Sequence, residues 1–295
     1  MELFTGSGVA LITPFDENGD VNYSRLREIL EFHVINHTDA IIVTGTTGEG
    51  STLSDEEKIS VIEFTVDIIN SRIPVIAGTG SNDTRHAVEF SKRVEKLGVD
   101  GLLLVTPYYN KGNENGIYEH YKAIAEGVKI PVILYNVPSR TGVNLSIPLL
   151  KRLAQIENIT ALKEASGNIS YVAEVAREVP ELDIYSGNDD MVVPVLSLGG
   201  KGVISVSANI IPDISHDMTV SFLKGDVKKA RELQLKYNDL VNALFLETNP
   251  VPVKEAMNFL GYEVGNCRLP LGAMNESNRA RLIDILTAHE VTGWK

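Results

Sequence analysis

Eight short apolar runs recur along the chain, and stretches with the signals of amphipathic helices separate them. The runs are Val9 to Ile12, Ala40 to Val43, Val75 to Ala77, Gly101 to Val105, Val132 to Tyr135, Thr160 to Lys163, Leu182 to Tyr185 and Gly202 to Val206. Most are rich in Val, Ile or Leu with little polar alternation, which is typical of strands buried on both faces of a parallel sheet. Eight evenly spaced strand–helix units favour a (β/α)8 TIM barrel over an open, doubly wound sheet.

Several of the intervening stretches carry helix start and stop signals. Ser54-Asp55-Glu56-Glu57 supplies an N-cap followed by acids in the first turn. Asn82 or Asp83 opens a second helix, which we expect to end at Leu97-Gly98. Ser146-Ile147-Pro148 puts a proline at the start of a third, where proline is tolerated.

The pattern changes after the eighth run, because from about Asp226 onward only helical periodicity remains. The predicted helices are Val227 to Phe245, Val251 to Leu260 and Asn275 to Ala288, with Pro250 and Pro252 marking the first break. We interpret residues 1–225 as the barrel that carries the active site. Residues 226–295 are then a C-terminal helical region attached to it, not a separately folding domain.

Composition narrows the class of protein. A net charge of -12 argues against a nucleic-acid surface, which needs clustered Lys and Arg. The single cysteine, Cys267, excludes an internal disulfide and a cysteine-based metal cluster. No apolar run approaches the length of a membrane span, and the N-terminus lacks the features of a signal peptide. We therefore expect a cytoplasmic protein that binds neither membranes nor nucleic acid.

The histidines give no sign of a metal site. Only His33 and His37 have the i, i+4 spacing of a ligand pair, and no third ligand lies nearby in the sequence. We interpret them as a solvated helix face and predict no metal ion.

Lys163 is the strongest candidate for chemistry. It closes the apolar run that begins at Ile159, and a polar stretch, Glu164 to Asn168, follows it. This puts an amine at the carboxyl end of a strand, where α/β barrels keep their active sites. A partly desolvated lysine can lose its proton near neutral pH and attack a carbonyl carbon. A solvated loop lysine is the alternative reading of this residue alone.

Two further loops could bind carboxylates. Gly45-Thr46-Thr47-Gly48-Glu49-Gly50 follows the second strand and can turn backbone N–H groups toward an anion. It lacks the Gly-Lys-Ser/Thr of a phosphate loop, so a small carboxylate suits it better than a nucleotide. Arg140 follows the fifth strand and can fork onto a carboxylate. A plain turn and a structural arginine remain the alternatives.

Tyrosines also follow the strands on this face. Tyr135 ends the fifth strand, in the position of a strand-end acid or base. Tyr108 and Tyr109 follow the fourth strand. The pair could relay protons through hydroxyl groups, or pack as half-buried aromatics at a subunit contact.

Taken in order, these segments resemble the family of pyruvate-dependent Schiff-base aldolases typified by dihydrodipicolinate synthase, also called 4-hydroxy-tetrahydrodipicolinate synthase. The matching segments are Gly45 to Glu49, Thr106 to Asn110, Tyr135 to Thr141, Lys163 to Asn168, Ser186 to Asp189, Gly202 to Val206 and Asn249 to Lys254. They cover nearly the whole chain. The family fold is a barrel with a helical C-terminal region, usually assembled as a tetramer of two tight dimers.

The resemblance implies the catalytic roles. Lys163 would form an imine with pyruvate, and Tyr135 would shuttle protons. Thr46 would link Tyr135 to Tyr109, which in this family reaches in from a neighbouring subunit. The active unit would then be a homo-oligomer, at least a dimer. No cofactor is implied beyond the covalent lysine imine.

The resemblance also implies the substrate contacts. Thr46 and Thr47 would hold the carboxylate of pyruvate, and Arg140 that of L-aspartate 4-semialdehyde. Gly187 and Ile204 would contribute backbone contacts around the imine. The product would serve the diaminopimelate route to lysine.

Two alternatives stay open on the same barrel. N-acetylneuraminate lyase and keto-deoxy sugar-acid aldolases share the lysine and the strand-5 tyrosine. The Tyr108-Tyr109 pair together with Arg140 favours the synthases, because only a substrate with a distal carboxylate needs that arginine. A non-catalytic regulator is the second alternative, and the intact Lys163 and Tyr135 argue against it.

A regulatory site is the last expectation from the resemblance. Lysine-inhibited relatives bind lysine at positions that match Ser51, Asp55, Lys58, Asn82, His86 and Tyr108. Lys58 stands where a histidine is typical, and His86 stands where an acid would meet the lysine amine. A cation there repels a cationic ligand, and the missing acid leaves its ammonium unpaired. We predict weak or no inhibition by lysine at this degenerate site.

Overall fold

A computed structural model describes residues 3–293 as a closed barrel of eight parallel strands. The strands are β1 (Gly6–Ala10), β2 (Ala40–Val43), β3 (Val75–Gly78), β4 (Gly101–Val105), β5 (Val132–Asn136), β6 (Ile159–Glu164), β7 (Asp183–Ser186) and β8 (Gly202–Ser205). Each strand pairs with the next along the chain, and β8 pairs with β1 to close the ring. The predicted (β/α)8 barrel is confirmed.

Helices follow every strand of the barrel. They are α1 (Tyr23–Ile35), α2 (Asp55–Ile69), α3 (Thr84–Glu95), α4 (Glu114–Glu126), α5 (Pro138–Thr141), α6 (Ile147–Leu153), α7 (Ile169–Glu178), α8 (Val192–Ser197) and α9 (Pro212–Leu223). Ser54 caps α2 in a capping box with Glu57, Asp83 caps α3, and Ser146 caps α6. Each cap satisfies N–H groups that have no partner within the helix.

Glycines explain the largest error in the strand boundaries. β1 begins at Gly6 rather than Val9, because Gly6 pairs directly with Gly202. A Cβ atom on Gly202 would lie 1.9 Å from the Gly6 carbonyl oxygen, so only glycine permits this approach. Apolar periodicity does not detect a strand that starts on the small residues Gly6, Ser7 and Gly8. Leu11 and Ile12, which belong to the predicted run, are buried beyond the strand end.

The C-terminal region is helical, as predicted. Its helices are α10 (Val227–Lys236), α11 (Asn238–Ala243), α12 (Val251–Phe259) and α13 (Glu276–Ala288). The single helix expected from Val227 to Phe245 is wrong, because the chain turns at Tyr237, whose ring stacks on His289 at 5.2 Å. Leu240 and Leu282 belong to the same apolar cluster as the strands. The division of the chain at residue 225 stays a prediction.

The barrel interior is filled with side chains and closed at its amino-terminal end. Ile42, Ile76 and Ile204 point inward from three strands. Below them, Phe4 stacks on Tyr185 at 4.4 Å, and the Tyr185 hydroxyl donates to the Phe4 carbonyl. Only the carboxyl ends of the strands are left to form a site.

The histidine interpretation needs a correction. His37 is exposed, but His33 is fully buried, and its Nδ1 lies 2.9 Å from the Thr38 hydroxyl oxygen. Burial lowers the pKa of His33 to about 3, so the ring is neutral at physiological pH. Within residues 3–293, no three His, Cys, Asp or Glu side chains cluster as a metal site, and no helix is long and apolar enough to cross a membrane.

Candidate active site

Lys163 lies inside the mouth of the barrel, one residue before the end of β6. Its β-sheet neighbours are Tyr135 on β5 and Tyr185 on β7. The side chain is only 5% exposed, and its Nζ lies 4.4 Å from the centroid of the Tyr135 ring. Lys163 is therefore desolvated and packs against an aromatic ring, unlike a solvated loop lysine.

The surroundings of Lys163 favour the neutral amine. Burial is the main effect, and with the Arg140 guanidinium it lowers the pKa of Lys163 to about 8, against an opposing attraction from Asp189. At pH 7 about a tenth of the side chains are then unprotonated, against about one in several thousand for an ordinary lysine. An appreciable fraction of neutral amine is thus present at pH 7 without a separate base.

Tyr135 is buried beside the lysine. Burial raises the pKa of Tyr135, while the Arg140 charge and a hydrogen bond with the Thr46 side chain act in the opposite direction. The phenol is therefore protonated at neutral pH and linked to Thr46. The structure brings together Lys163, Tyr135 and Thr46.

The loop after β2 has an unusual backbone. Thr44 and Glu49 both adopt left-handed φ angles, 55° and 53°, which are rare for residues with side chains. The turn is closed by bonds from the Glu49 N–H to the Thr46 carbonyl and from the Gly50 N–H to the Gly45 carbonyl, both 3.1 Å. Thr46 and Thr47 therefore sit in a tight, specific loop.

Arg140 and Thr47 are joined by a residue that we did not assign to the site. Asn249 donates from Nδ2 to the Thr47 hydroxyl at 3.0 Å, and its carbonyl accepts from the Arg140 guanidinium at 3.1 Å. The only signal in the sequence was its place in the matching segment Asn249 to Lys254. Its contacts lie 202 and 109 residues away, which local patterns do not reveal.

Gly187 follows β7 and lies against the lysine. A Cβ atom at this position would be 3.2 Å from Lys163 Cε, 3.0 Å from the Glu164 carbonyl oxygen and 2.7 Å from the Ala165 Cβ. Glycine is therefore required at position 187 for steric reasons. Ile204, the other residue expected to give a backbone contact, is fully buried on β8.

Two buried carboxyl groups near the lysine were also missed. Asp189 accepts hydrogen bonds from the backbone N–H groups of Val206 and Ser207 at 2.9 and 3.0 Å. Burial raises the pKa of Asp189 and of Glu164. Both residues fell within matching segments, but an acid in a polar loop is usually solvated, so the sequence carried no signal of their burial.

A cavity of about 340 Å³ reaches Tyr135, but Lys163, Thr47, Gly187 and Ile204 are not among its lining residues. Thr46, Tyr135 and Arg140 line one part of it. Four of the expected effector positions, Ser51, Lys58, His86 and Tyr108, line the same cavity. The predicted substrate and effector residues are therefore adjacent.

Charges in the effector part of the cavity are already paired. The Asp55 carboxylate lies 2.7 Å from His86 Nε2 and 3.3 Å from Lys58 Nζ. Lys58 and His86 also pack on the Phe90 ring, at 5.1 and 5.8 Å from its centroid. Asn82 lies just before α3 and does not line the cavity.

Of the predicted catalytic residues, Thr46 and Tyr135 line the cavity. Lys163 packs on the Tyr135 ring without lining it, and Tyr109 of the same chain does neither. Its side chain is 83% exposed, and its backbone has a left-handed φ of 74°. Tyr108, next to it, lines the cavity. The loop therefore directs two adjacent tyrosines in different directions.

Known proteins match this chain along its length. The model of the dihydrodipicolinate synthetase family matches residues 3–289. The 4-hydroxy-tetrahydrodipicolinate synthase of Brachyspira hyodysenteriae is 55% identical over 289 residues, which cover 98% of this chain and 99% of that protein. The synthase of Acetivibrio thermocellus is 58% identical over 277 residues, 94% of each chain.

Solved structures of dihydrodipicolinate synthases are also similar to this chain over nearly its whole length. The dihydrodipicolinate synthase of Aquifex aeolicus superposes with a TM-score of 0.96 at 44% identity, over 99% of this chain and 100% of that one. A chloride-inhibited synthase from Acinetobacter baumannii, complexed with pyruvate, has a TM-score of 0.95 at 43% identity, over 97% and 99% of the two chains. The family resemblance inferred from the sequence is confirmed: this chain belongs to the dihydrodipicolinate synthetase family.

Proposed function

We propose that this protein is a 4-hydroxy-tetrahydrodipicolinate synthase, a lyase that condenses pyruvate with L-aspartate 4-semialdehyde and cyclises the product. The observation that carries the proposal is the buried Lys163, whose pKa is lowered to about 8 and which packs on Tyr135, a residue that lines a cavity together with Arg140. The full-length relatives that bear this enzyme's name support the same activity.

The neutral Lys163 amine attacks the ketone carbon of pyruvate, and loss of water gives an imine. The imine withdraws electrons, so a methyl proton leaves and an enamine forms. The enamine carbon then bonds to the aldehyde carbon of the second substrate. Finally, the amine of that substrate attacks the imine carbon and expels Lys163. No metal or separate cofactor is needed.

Tyr135 moves the protons in these steps. Its phenol lies beside the lysine, and its hydrogen bond with Thr46 gives the proton a path away from the imine. Tyr109 of a neighbouring subunit extends this path, which requires at least a dimer and suits a tetramer of two dimers. The exposure of Tyr109 and the left-handed backbone that presents it support this role.

Two carboxylate contacts orient the substrates. Thr46 and Thr47 hold the carboxylate of pyruvate, and Arg140, which lines the cavity together with Thr46, holds that of the aldehyde. The bare Gly187 and the backbone of Ile204 leave room for the imine.

Regulation by lysine is weak or absent in this proposal. The Asp55 carboxylate already contacts Lys58 and His86, so a lysine ammonium would meet the Lys58 ammonium and no free acid among the expected effector positions. Inhibition in an assay with lysine below about a millimolar, an affinity near 4 kcal/mol, would contradict this expectation.

A substrate comparison tests the proposed activity. Purified protein should consume pyruvate only when L-aspartate 4-semialdehyde is present and yield the cyclic product. N-acetylneuraminate and keto-deoxy sugar acids should not be cleaved at a comparable rate. Efficient cleavage of either sugar acid would assign the protein to a sister aldolase, and inactivity on all substrates would favour a regulator.

A further inference from the structure

Two lysines are buried in the part of the chain that the structure describes, Lys163 and Lys254. Among residues 3–293, no carboxylate lies within ion-pair distance of Lys163, whereas Lys254 Nζ lies 2.9 Å from Glu49 Oε1. The other two protons of the Lys254 ammonium go to the carbonyls of Thr13 and Asn266, at 3.1 and 3.0 Å. Burial lowers the pKa of Lys254, and the Glu49 carboxylate opposes this effect. Because all three ammonium protons are hydrogen-bonded, Lys254 is unsuited to act as a nucleophile.

Both carboxylate oxygens of Glu49 also accept hydrogen bonds. Its second oxygen accepts from the backbone N–H of Arg268 at 2.8 Å. The side chains of Lys254 and Glu49 are 2% and 0% exposed, so neither charge can turn to solvent. Removing one member of such a pair leaves the other charge buried and uncompensated.

The pair acts on the loop that carries Thr46 and Thr47. Glu49 is held in its left-handed conformation, and its N–H closes the turn onto the Thr46 carbonyl. Thr13, whose carbonyl accepts from Lys254, donates its hydroxyl proton to the Gly48 carbonyl at 2.7 Å. Lys254 therefore restrains Gly48 and Glu49 from two sides.

A second contact comes from the same C-terminal segment. Asn249, just before α12, donates to the Thr47 hydroxyl, and Lys254 lies in the first turns of that helix. The start of α12 thus contacts the loop on both sides of Gly48. The C-terminal helical region therefore directly contacts the loop after β2 at the mouth of the barrel.

We infer that Lys254 is a positioning residue for pyruvate, which acts through its buried ion pair with Glu49 to hold the Thr46–Thr47 loop in its binding conformation. The inference rests on the proposed function, because it takes that loop to be the pyruvate carboxylate site. It adds a residue from outside the barrel to the requirements for imine formation.

Kinetics of Lys254→Met, Glu49→Gln and the double variant test the inference. Lys254→Met should raise the KM for pyruvate and slow borohydride trapping of the imine about tenfold or more, with little change in the KM for the aldehyde. The double variant should recover part of this loss, because it leaves no unpaired carboxylate. Glu49→Gln, which preserves the shape of the side chain, should raise the KM for pyruvate less than Lys254→Met does. The KM for the aldehyde should again change little.

The split between the two substrates is the readout that a purely structural role would not move. A general loss of folding should change kcat and both KM values together. Loss of the restraint on the Thr46–Thr47 loop should instead raise the pyruvate KM and leave the aldehyde KM nearly unchanged.

Asp39→Ala is the matched control. Asp39 accepts from the Ser7 N–H at 2.7 Å and contacts His216 at 2.9 Å, at the opposite end of the barrel. An unchanged pyruvate KM in Lys254→Met and Glu49→Gln, or a rise equal to that of Asp39→Ala, would overturn the inference. So would equal losses for both substrates without recovery in the double variant. A wild type that forms no imine with pyruvate would instead refute the proposed function.

Discussion

A methyl group added at Gly187 should disrupt imine formation. The new Cβ would lie 2.7 Å from the Ala165 Cβ and 3.2 Å from Lys163 Cε. Ordinary carbon contacts are about 3.5–4.0 Å, so both neighbours must move by several tenths of an ångström or more. Glu164 is the last residue of β6 and Ala165 directly follows it, so the flexible lysine side chain is the softer partner and should be displaced. Overpacking of this kind costs about 1–3 kcal/mol.

If this free energy destabilises the reactive position of the Lys163 side chain, kcat/KM for pyruvate should fall about 5- to 150-fold in Gly187→Ala. Borohydride trapping of the pyruvyl imine should slow by a similar factor. Gly272→Ala is the control, because a Cβ at Gly272 meets nothing within 4 Å. Trapping of Gly187→Ala at the wild-type rate would refute the steric reasoning.

Three further outcomes follow from the site. Arg140→Ala should lose about ten- to a hundredfold in kcat/KM for the aldehyde, and much less for pyruvate, because one charge-assisted contact is worth about 1.5–3 kcal/mol. Equal losses in kcat/KM for the two substrates would refute the assignment of Arg140 to the aldehyde carboxylate. Because imine formation needs the neutral amine, kcat/KM for pyruvate should rise with pH up to about 8, the pKa of Lys163, and level off above it; a flat pH profile would contradict this. Mixing inactive Tyr109→Phe and Lys163→Ala chains should restore some activity, since one hybrid site has both groups, and no recovery despite proven subunit exchange would count against a shared site.

The barrel could be predicted because its signals are local. Apolar runs such as Ala40 to Val43 mark buried strands, and caps such as Ser54 mark helix starts. Lys163 was detectable for the same reason, since it directly follows a buried run. Errors arose at Gly6, which has no side chain to contribute to an apolar pattern, and at Tyr237, where one predicted helix is two.

The polar contacts of the site could not be predicted in the same way. Lys254 and Glu49 are 205 residues apart, and nothing near either residue specifies the other. The burial of His33 and Asp189 likewise depends on what the folded chain packs against them. Local patterns indicate which face of an element is buried, whereas the pairing of polar groups depends on the tertiary fold.

The most direct test of the central claim is to locate the covalent bond. Protein incubated with pyruvate and borohydride, then digested and mapped by mass spectrometry, should carry a single reduced pyruvyl group on Lys163. The Lys163→Ala variant should remain unlabelled, even though Lys254 is also buried. A label on Lys254, or undiminished labelling of Lys163→Ala, would contradict the assignment of the nucleophile.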